Sequence, residues 1–95
     1  MTTKQKLQAM HILYNYGSQN QILKCCEELS ELNAAILHYV NKGKNNTDEV
    51  LDEMADVYIM LEQMRHVFPF GENVLNERID YKLNRQLDRI NENNV

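Results

Sequence analysis

Ser18-Gln19-Asn20-Gln21-Ile22-Leu23-Lys24-Cys25-Cys26-Glu27-Glu28-Leu29-Ser30-Glu31-Leu32-Asn33-Ala34-Ala35-Ile36-Leu37-His38-Tyr39-Val40 runs without a glycine or proline. Within it Ile22, Cys25, Cys26, Leu29, Leu32, Ile36 and Val40 recur at the three- and four-residue spacing that puts apolar side chains on one stripe of a helix. Ser18, with Gln21 three residues on, carries the signature of a capping box at its start. Gln21 has a second reading, as a side chain that touches a bound ligand.

Working outward, the same periodicity predicts three more helices. The first covers Thr3 to Tyr16, with Leu7, Met10, Leu13 and Tyr14 at helical spacing, and Gly17 closes it. Asn41 to Asn46 reads as a polar turn. Thr47 is the expected cap of the third helix, with Asp48 and Glu49 at its positive end. Val50, Met54, Val57, Leu61 and Met64 form its stripe, and Pro69 stops it. The last helix is expected from Glu72 to Asn91, striped by Leu75, Ile79, Leu83, Leu87 and Ile90, with a frayed end after it. Four stripes that must be buried against one another define an all-α, four-helix bundle-like fold.

The chain has 95 residues, the size of one domain spanning 1–95. A core this small makes oligomerisation a natural source of stability. Ten basic against fourteen acidic side chains give a net charge of −4. That balance speaks against general nucleic-acid binding, which needs Lys and Arg against phosphate. It leaves open a small anionic substrate at a site whose charge a divalent cation inverts. No apolar run is long enough to span a bilayer, and the N-terminus has no signal-peptide pattern, so a cytoplasmic location is expected. Cys25 and Cys26 point about 100° apart on a helix and read as reduced, packed thiols.

The chemistry-bearing residues are acidic. Glu27-Glu28-Leu29-Ser30-Glu31 lies on the second helix and Glu53-Met54-Ala55-Asp56 on the third. Glu28 with Glu31, and Glu53 with Asp56, are pairs three residues apart, whose Cβ atoms lie about 5–6 Å from each other. Either pair alone is ordinarily a solvated helix face. Both together, on consecutive helices and beside apolar stripes, read as four carboxylates meeting across a helix pair. Such a group is costly without a cation and becomes a hard-oxygen Mg²⁺ site with one. Glu28 and Glu53 fall at the stripe margins, with Glu31 and Asp56 further round. Ala35 leaves room one turn past Glu31, and Met60 forms an apolar wall one turn past Asp56. On the last helix Arg78, Lys82, Arg85 and Arg89 share one side. They read either as a solvated basic face or as a phosphate clamp led by Lys82 and Arg85. Tyr39 and Tyr58 read as core aromatics before base-stacking ones, and His11, His38 and His66 form no metal pattern.

The paired motif resembles the MazG-like all-α nucleoside triphosphate pyrophosphohydrolases, whose signature is Glu-Glu-x-x-Glu followed by Glu-x-x-Asp. The flanking words Gly17-Ser18-Gln19-Asn20-Gln21 and Val57-Tyr58-Ile59-Met60-Leu61 look familial too. The likeness covers Tyr16 to Arg89, and the length is similar to the short stand-alone bacterial and phage members. The resemblance implies Mg²⁺-dependent hydrolysis, with Mn²⁺ as a substitute, of a ribo- or deoxyribonucleoside triphosphate to the monophosphate and pyrophosphate by attack of water at the α-phosphorus. It implies Glu28, Glu31, Glu53 and Asp56 as metal ligands. Glu27 would orient or deprotonate the water, or bind a second ion. Lys82, Arg85 and Arg89 match a Lys-x-x-Arg-x-x-x-Arg pattern of the short members, and a homodimer or homotetramer is implied.

Two rivals remain. A di-iron or di-manganese bundle needs Glu-x-x-His pairs, but the residues three before the histidines are Gln8, Ala35 and Gln63. A non-enzymatic helical interaction or regulatory module would use the stripes for partner helices and the carboxylates for solubility.

Overall fold

A computed structural model describes residues 1–42 and 45–93. It is an all-α, four-helix bundle fold: α1 (Thr3–Tyr16), α2 (Ser18–Lys42), α3 (Thr47–Val67) and α4 (Glu72–Asn93). Asn41 and Lys42, expected in the polar turn, complete α2 instead. Gly43 and Lys44 of that turn, and Asn94 and Val95 of the expected frayed end, lie outside the described residues.

The helix ends follow from their sequences, with two departures from expectation. The capping box is at Thr2, where the Gln5 amide donates to Thr2 Oγ1 at 3.1 Å and the Thr2 amide donates to Gln5 Oε1 at 2.8 Å. Ser18 is the first residue of α2 rather than its cap. The corner belongs to Gly17, whose φ of 89° suits a residue without Cβ. Its N–H donates to the Leu13 carbonyl at 2.8 Å and its carbonyl accepts from the Gln21 amide at 3.1 Å. Asn46, not Thr47, precedes α3 as its N-cap residue. At the far end Phe68 turns extended before Pro69, as the proline ring requires of its neighbour.

The α2–α3 pair is an antiparallel hairpin and the largest contact in the molecule, with α1 laid on α3 and, less extensively, on α2. Its register can be read from two bonds. Gln21 Nε2 donates to Gln63 Oε1 at 2.9 Å, and Asn46 Nδ2 donates to the Ala35 carbonyl at 3.1 Å. Asn46 therefore meets α2 well before that helix ends at Lys42. At about 1.5 Å per residue, α2 overruns the start of α3 by roughly 10 Å. The overrun brings Glu31 level with Glu53, although Glu31 is further along the chain from the hairpin connection.

The core is thin. Its buried apolar members are Ala9, Leu13, Cys25, Ala35, Val57 and Met60, with Gln63 fully enclosed among them. The expected stripes are buried only in part. Leu13 is covered, whereas Leu7 and Tyr14 are open. On α2, Cys25 is covered and Leu29, Ile36 and Val40 are exposed. On α3, Val57 is covered while Met54 and Leu61 face outward. The helix α2 buries the line Gln21, Cys25, Glu28, Ala35, turned toward the acidic side of its stripe.

The last helix packs least. It buries no residue, and only Leu75 is half-covered. Ile79, Leu83, Leu87 and Ile90 are all exposed. A compact chain of this size has a radius of gyration of about 12 Å; here it is 16.6 Å. At its root Arg65 joins α3 to α4, with Nη2 on Glu72 Oε1 at 2.7 Å and Nη1 on buried Glu62 at 3.2 Å, while His66 Nε2 approaches Glu62 Oε2 at 3.1 Å. An apolar groove of about 1220 Å³ runs between α1 and α3, lined by Leu7, Ile12, Leu51, Met54, Tyr58 and Ile59 among others.

Candidate metal centre

The antiparallel hairpin sets the first acidic pair against the second. One carboxylate oxygen from each of Glu28, Glu53 and Asp56 lies within 4.8 Å of the others, and Glu27, Glu28 and Glu31 make a second such group on α2 alone. Glu28 belongs to both. Its position at the stripe margin carries it inside, with a side-chain exposure of 8%. Glu53 is half-buried, and Glu31 and Asp56 are exposed at the rim. Of the four carboxylates expected to converge, Glu28, Glu53 and Asp56 meet across the helix pair, and Glu31 joins through Glu28 in the second group.

The electrostatics report the crowding. The Glu28 charge, more than anything else, pushes Glu31 above the ordinary carboxyl range, with desolvation and the Glu53 charge adding to it. Asp56 is raised first by desolvation and then by the Glu28 charge. Glu31 thus resists ionisation chiefly because of the Glu28 carboxylate, and Asp56 chiefly because of its loss of solvent.

Among the described residues, two oxygens within this group have no partner. Glu28 Oε2 and Glu53 Oε2 are both buried and neither accepts a hydrogen bond. A buried charge left uncompensated is strongly unfavourable. These oxygens are hard donors, they come from both helices, and further carboxylates stand within ligating distance. That donor set fits a divalent cation such as Mg²⁺, which takes oxygen ligands and shares them with waters and phosphates. The other oxygen, Glu28 Oε1, accepts from Lys24 Nζ at 3.1 Å, and the same ammonium lies 3.4 Å from Glu27 Oε1. The hydrogen bond to Glu28, then that to Glu27, raises the Lys24 pKa. Sequence reading passed over Lys24, although its signal was present as a Lys four residues before a Glu on one helix face.

The flanking expectations fare differently. Met60 is buried and walls the hairpin beyond Asp56. Ala35 is buried and its carbonyl receives Asn46, so the space it leaves serves the hairpin turn. Gln21 is in the core, bonded to Gln63, and not at the carboxylates. Lys82, Arg85 and Arg89 stand exposed on α4, which makes no extended contact with α2 in one chain. Tyr39 and Tyr58 are exposed rather than core, and Tyr58 lines the apolar groove. Cys25 is buried and free, with its thiol pushed up by burial, and Cys26 is exposed.

Comparison of the chain with protein-family models, curated proteins and solved structures finds no match. The functional reading therefore stands on the acidic centre itself. No helix among the described residues is long and apolar enough to cross a membrane.

Proposed function

We propose that the protein is a Mg²⁺-dependent nucleoside triphosphate pyrophosphohydrolase of the MazG-like kind, converting a ribo- or deoxyribonucleoside triphosphate and water to the monophosphate and pyrophosphate. The observation that carries this reading is the buried Glu28 carboxylate, common to both acidic groups and with one oxygen unpartnered. Glu28, Glu31, Glu53 and Asp56 would hold the ion, and Mn²⁺ would substitute for Mg²⁺. When bound, such an ion supplies positive charge against phosphate oxygens and makes nearby water more acidic.

The remaining work falls to the chain. Glu27 is largely exposed beside the centre, with its side chain open to a water that it can orient and deprotonate. That water attacks the α-phosphorus, the α–β phosphoanhydride bond breaks, and pyrophosphate departs with the electron pair. Phosphate charge needs further cations. In our reading Lys82, Arg85 and Arg89 provide them from a neighbouring copy in a homodimer or homotetramer, because the apolar side of α4 is unpartnered within one chain.

Purified protein given a panel of nucleoside and deoxynucleoside triphosphates with Mg²⁺ or Mn²⁺ tests this directly. Monophosphate plus pyrophosphate, lost on chelation, is the expected product pattern. Diphosphate plus phosphate would refute the reaction type. The second reading, a non-enzymatic interaction module, is favoured by one observation: long apolar lines on α2 and α4 that face solvent. Absence of turnover on every nucleotide, with no saturable cation binding, would select it.

A further inference from the structure

Lys24 holds a place in this centre that a surface ion pair does not explain. Its Nζ spans Glu28 Oε1 at 3.1 Å and Glu27 Oε1 at 3.4 Å. Those are the buried carboxylate at the heart of the site and the exposed one at its edge. The two oxygens of Glu28 are thus divided. One is neutralised by the ammonium, and the other, on a side chain more than nine-tenths buried, has no partner among the described residues. Among the described residues, Lys24 is the cation that the structure sets against the acidic centre.

We propose that Lys24 is a stand-in cation that the metal displaces and that then binds the substrate's phosphates. The inference rests on the metal-dependent reading above. With the site empty of metal, one positive charge on Glu28 and Glu27 offsets part of the carboxylate repulsion. A divalent ion taken up by the free oxygen of Glu28 puts like charge beside the ammonium, and the two repel at short range. Lys24 can leave. Its side chain is 47% exposed, and a lysine stem is flexible with a compact charge at its tip. The nearest new anion for it is the phosphate chain arriving with the ion. The same movement frees Glu27 Oε1 to face water.

The proposal predicts effects of opposite sign from one substitution. In Lys24→Met the competing charge is gone, so Mn²⁺ alone binds about three- to fivefold more tightly. The phosphate ligand is gone too, so inorganic tripolyphosphate in saturating Mn²⁺ binds about tenfold more weakly. Lys24→Arg keeps the charge and stays close to wild type in the Mn²⁺ titration, which controls for loss of fold. Calorimetric titration of the intact chain with both probes reads these values. Unchanged Mn²⁺ affinity, or unchanged tripolyphosphate affinity, in Lys24→Met overturns the role of Lys24 while leaving the metal site intact. Failure of the wild-type protein to bind Mn²⁺ at all overturns both the role of Lys24 and the metal-dependent reading.

Discussion

Gln63 is completely enclosed, and its side chain ties three helices together: Gln21 on α2 donates to its carbonyl oxygen at 2.9 Å, and its own amide donates to the Ala9 carbonyl on α1 at 3.0 Å. Removing either glutamine leaves a buried polar atom of the other without its partner. Gln63→Leu keeps the volume roughly but strands the Gln21 amide in the core and removes the donor that ties α3 to the Ala9 carbonyl of α1. The expected loss is about 1–3 kcal/mol. For a domain of this size that lowers Tm by roughly 4–8 °C per kcal/mol. Thermal and urea unfolding read it. Gln21→Ala should act the same way, on stability and not on KM, and a selective rise in KM would return Gln21 to the substrate.

Glu28→Gln and Asp56→Asn should leave helical circular dichroism unchanged and remove turnover. Changing a residue that only hydrogen-bonds to a metal's ligand costs about 10–100-fold, so the loss at a ligand itself should be at least that large. Glu28→Gln is expected to be the more severe, since Glu28 belongs to both acidic groups. Product release by either purified variant at the wild-type rate would sink the assignment.

The junction of α3 and α4 should be acid-sensitive. The hydrogen bond from Arg65, at 2.7 Å, holds Glu72 below the ordinary carboxyl range. Because the folded value lies below the unfolded one, the stabilisation is complete above the unfolded carboxyl pKa. It is lost as pH falls through the folded value. Protection of the amides at the start of α4, relative to the intrinsic exchange rate at each pH, should therefore fall in acid, and Glu72→Gln should bring the same loss of protection at neutral pH. Equal protection of Glu72→Gln and wild type at pH 7 would show that another contact orients α4.

A chain that leaves Ile79, Leu83, Leu87 and Ile90 in water should not remain single at micromolar concentration. Light scattering should give twice or four times the mass of one chain. The double variant Leu83→Lys, Leu87→Lys should return it to one chain with its α2–α3 hairpin intact. A wild-type monomer would contradict the expected assembly and leave the α4 cations without a route to the carboxylates.

Much of the architecture was legible because helix ends have local causes. Gly17 and Pro69 punctuate the chain where the periodicity stops, and α1 and the start of α4 fall where the pattern puts them. The depth of Glu28 was legible too, from its place at the edge of an apolar stripe. The choice of buried line on α2 was not. Leucines, isoleucines and cysteines spread over about half of that helix's circumference, so periodicity alone does not pick which strip meets α3. The structure picks the line through Gln21, Cys25, Glu28 and Ala35, and Gln21 and Gln63 bury themselves as partners. Neither glutamine signals a partner 42 residues away. Ser18 with Gln21 also looked like a capping box because local spacing cannot distinguish a glutamine that folds back on its own helix from one that points across to another.

The corner at Gly17 has a consequence for how length changes are tolerated. One residue ends α1 and begins α2, so there is no slack between them. Adding or deleting a residue there would rotate α1 by about 100° about its axis relative to α2. The Ala9 carbonyl would swing away from Gln63, and Leu13 would leave the core. The reading frame of the whole packing is counted from this corner, and insertions should be rejected there.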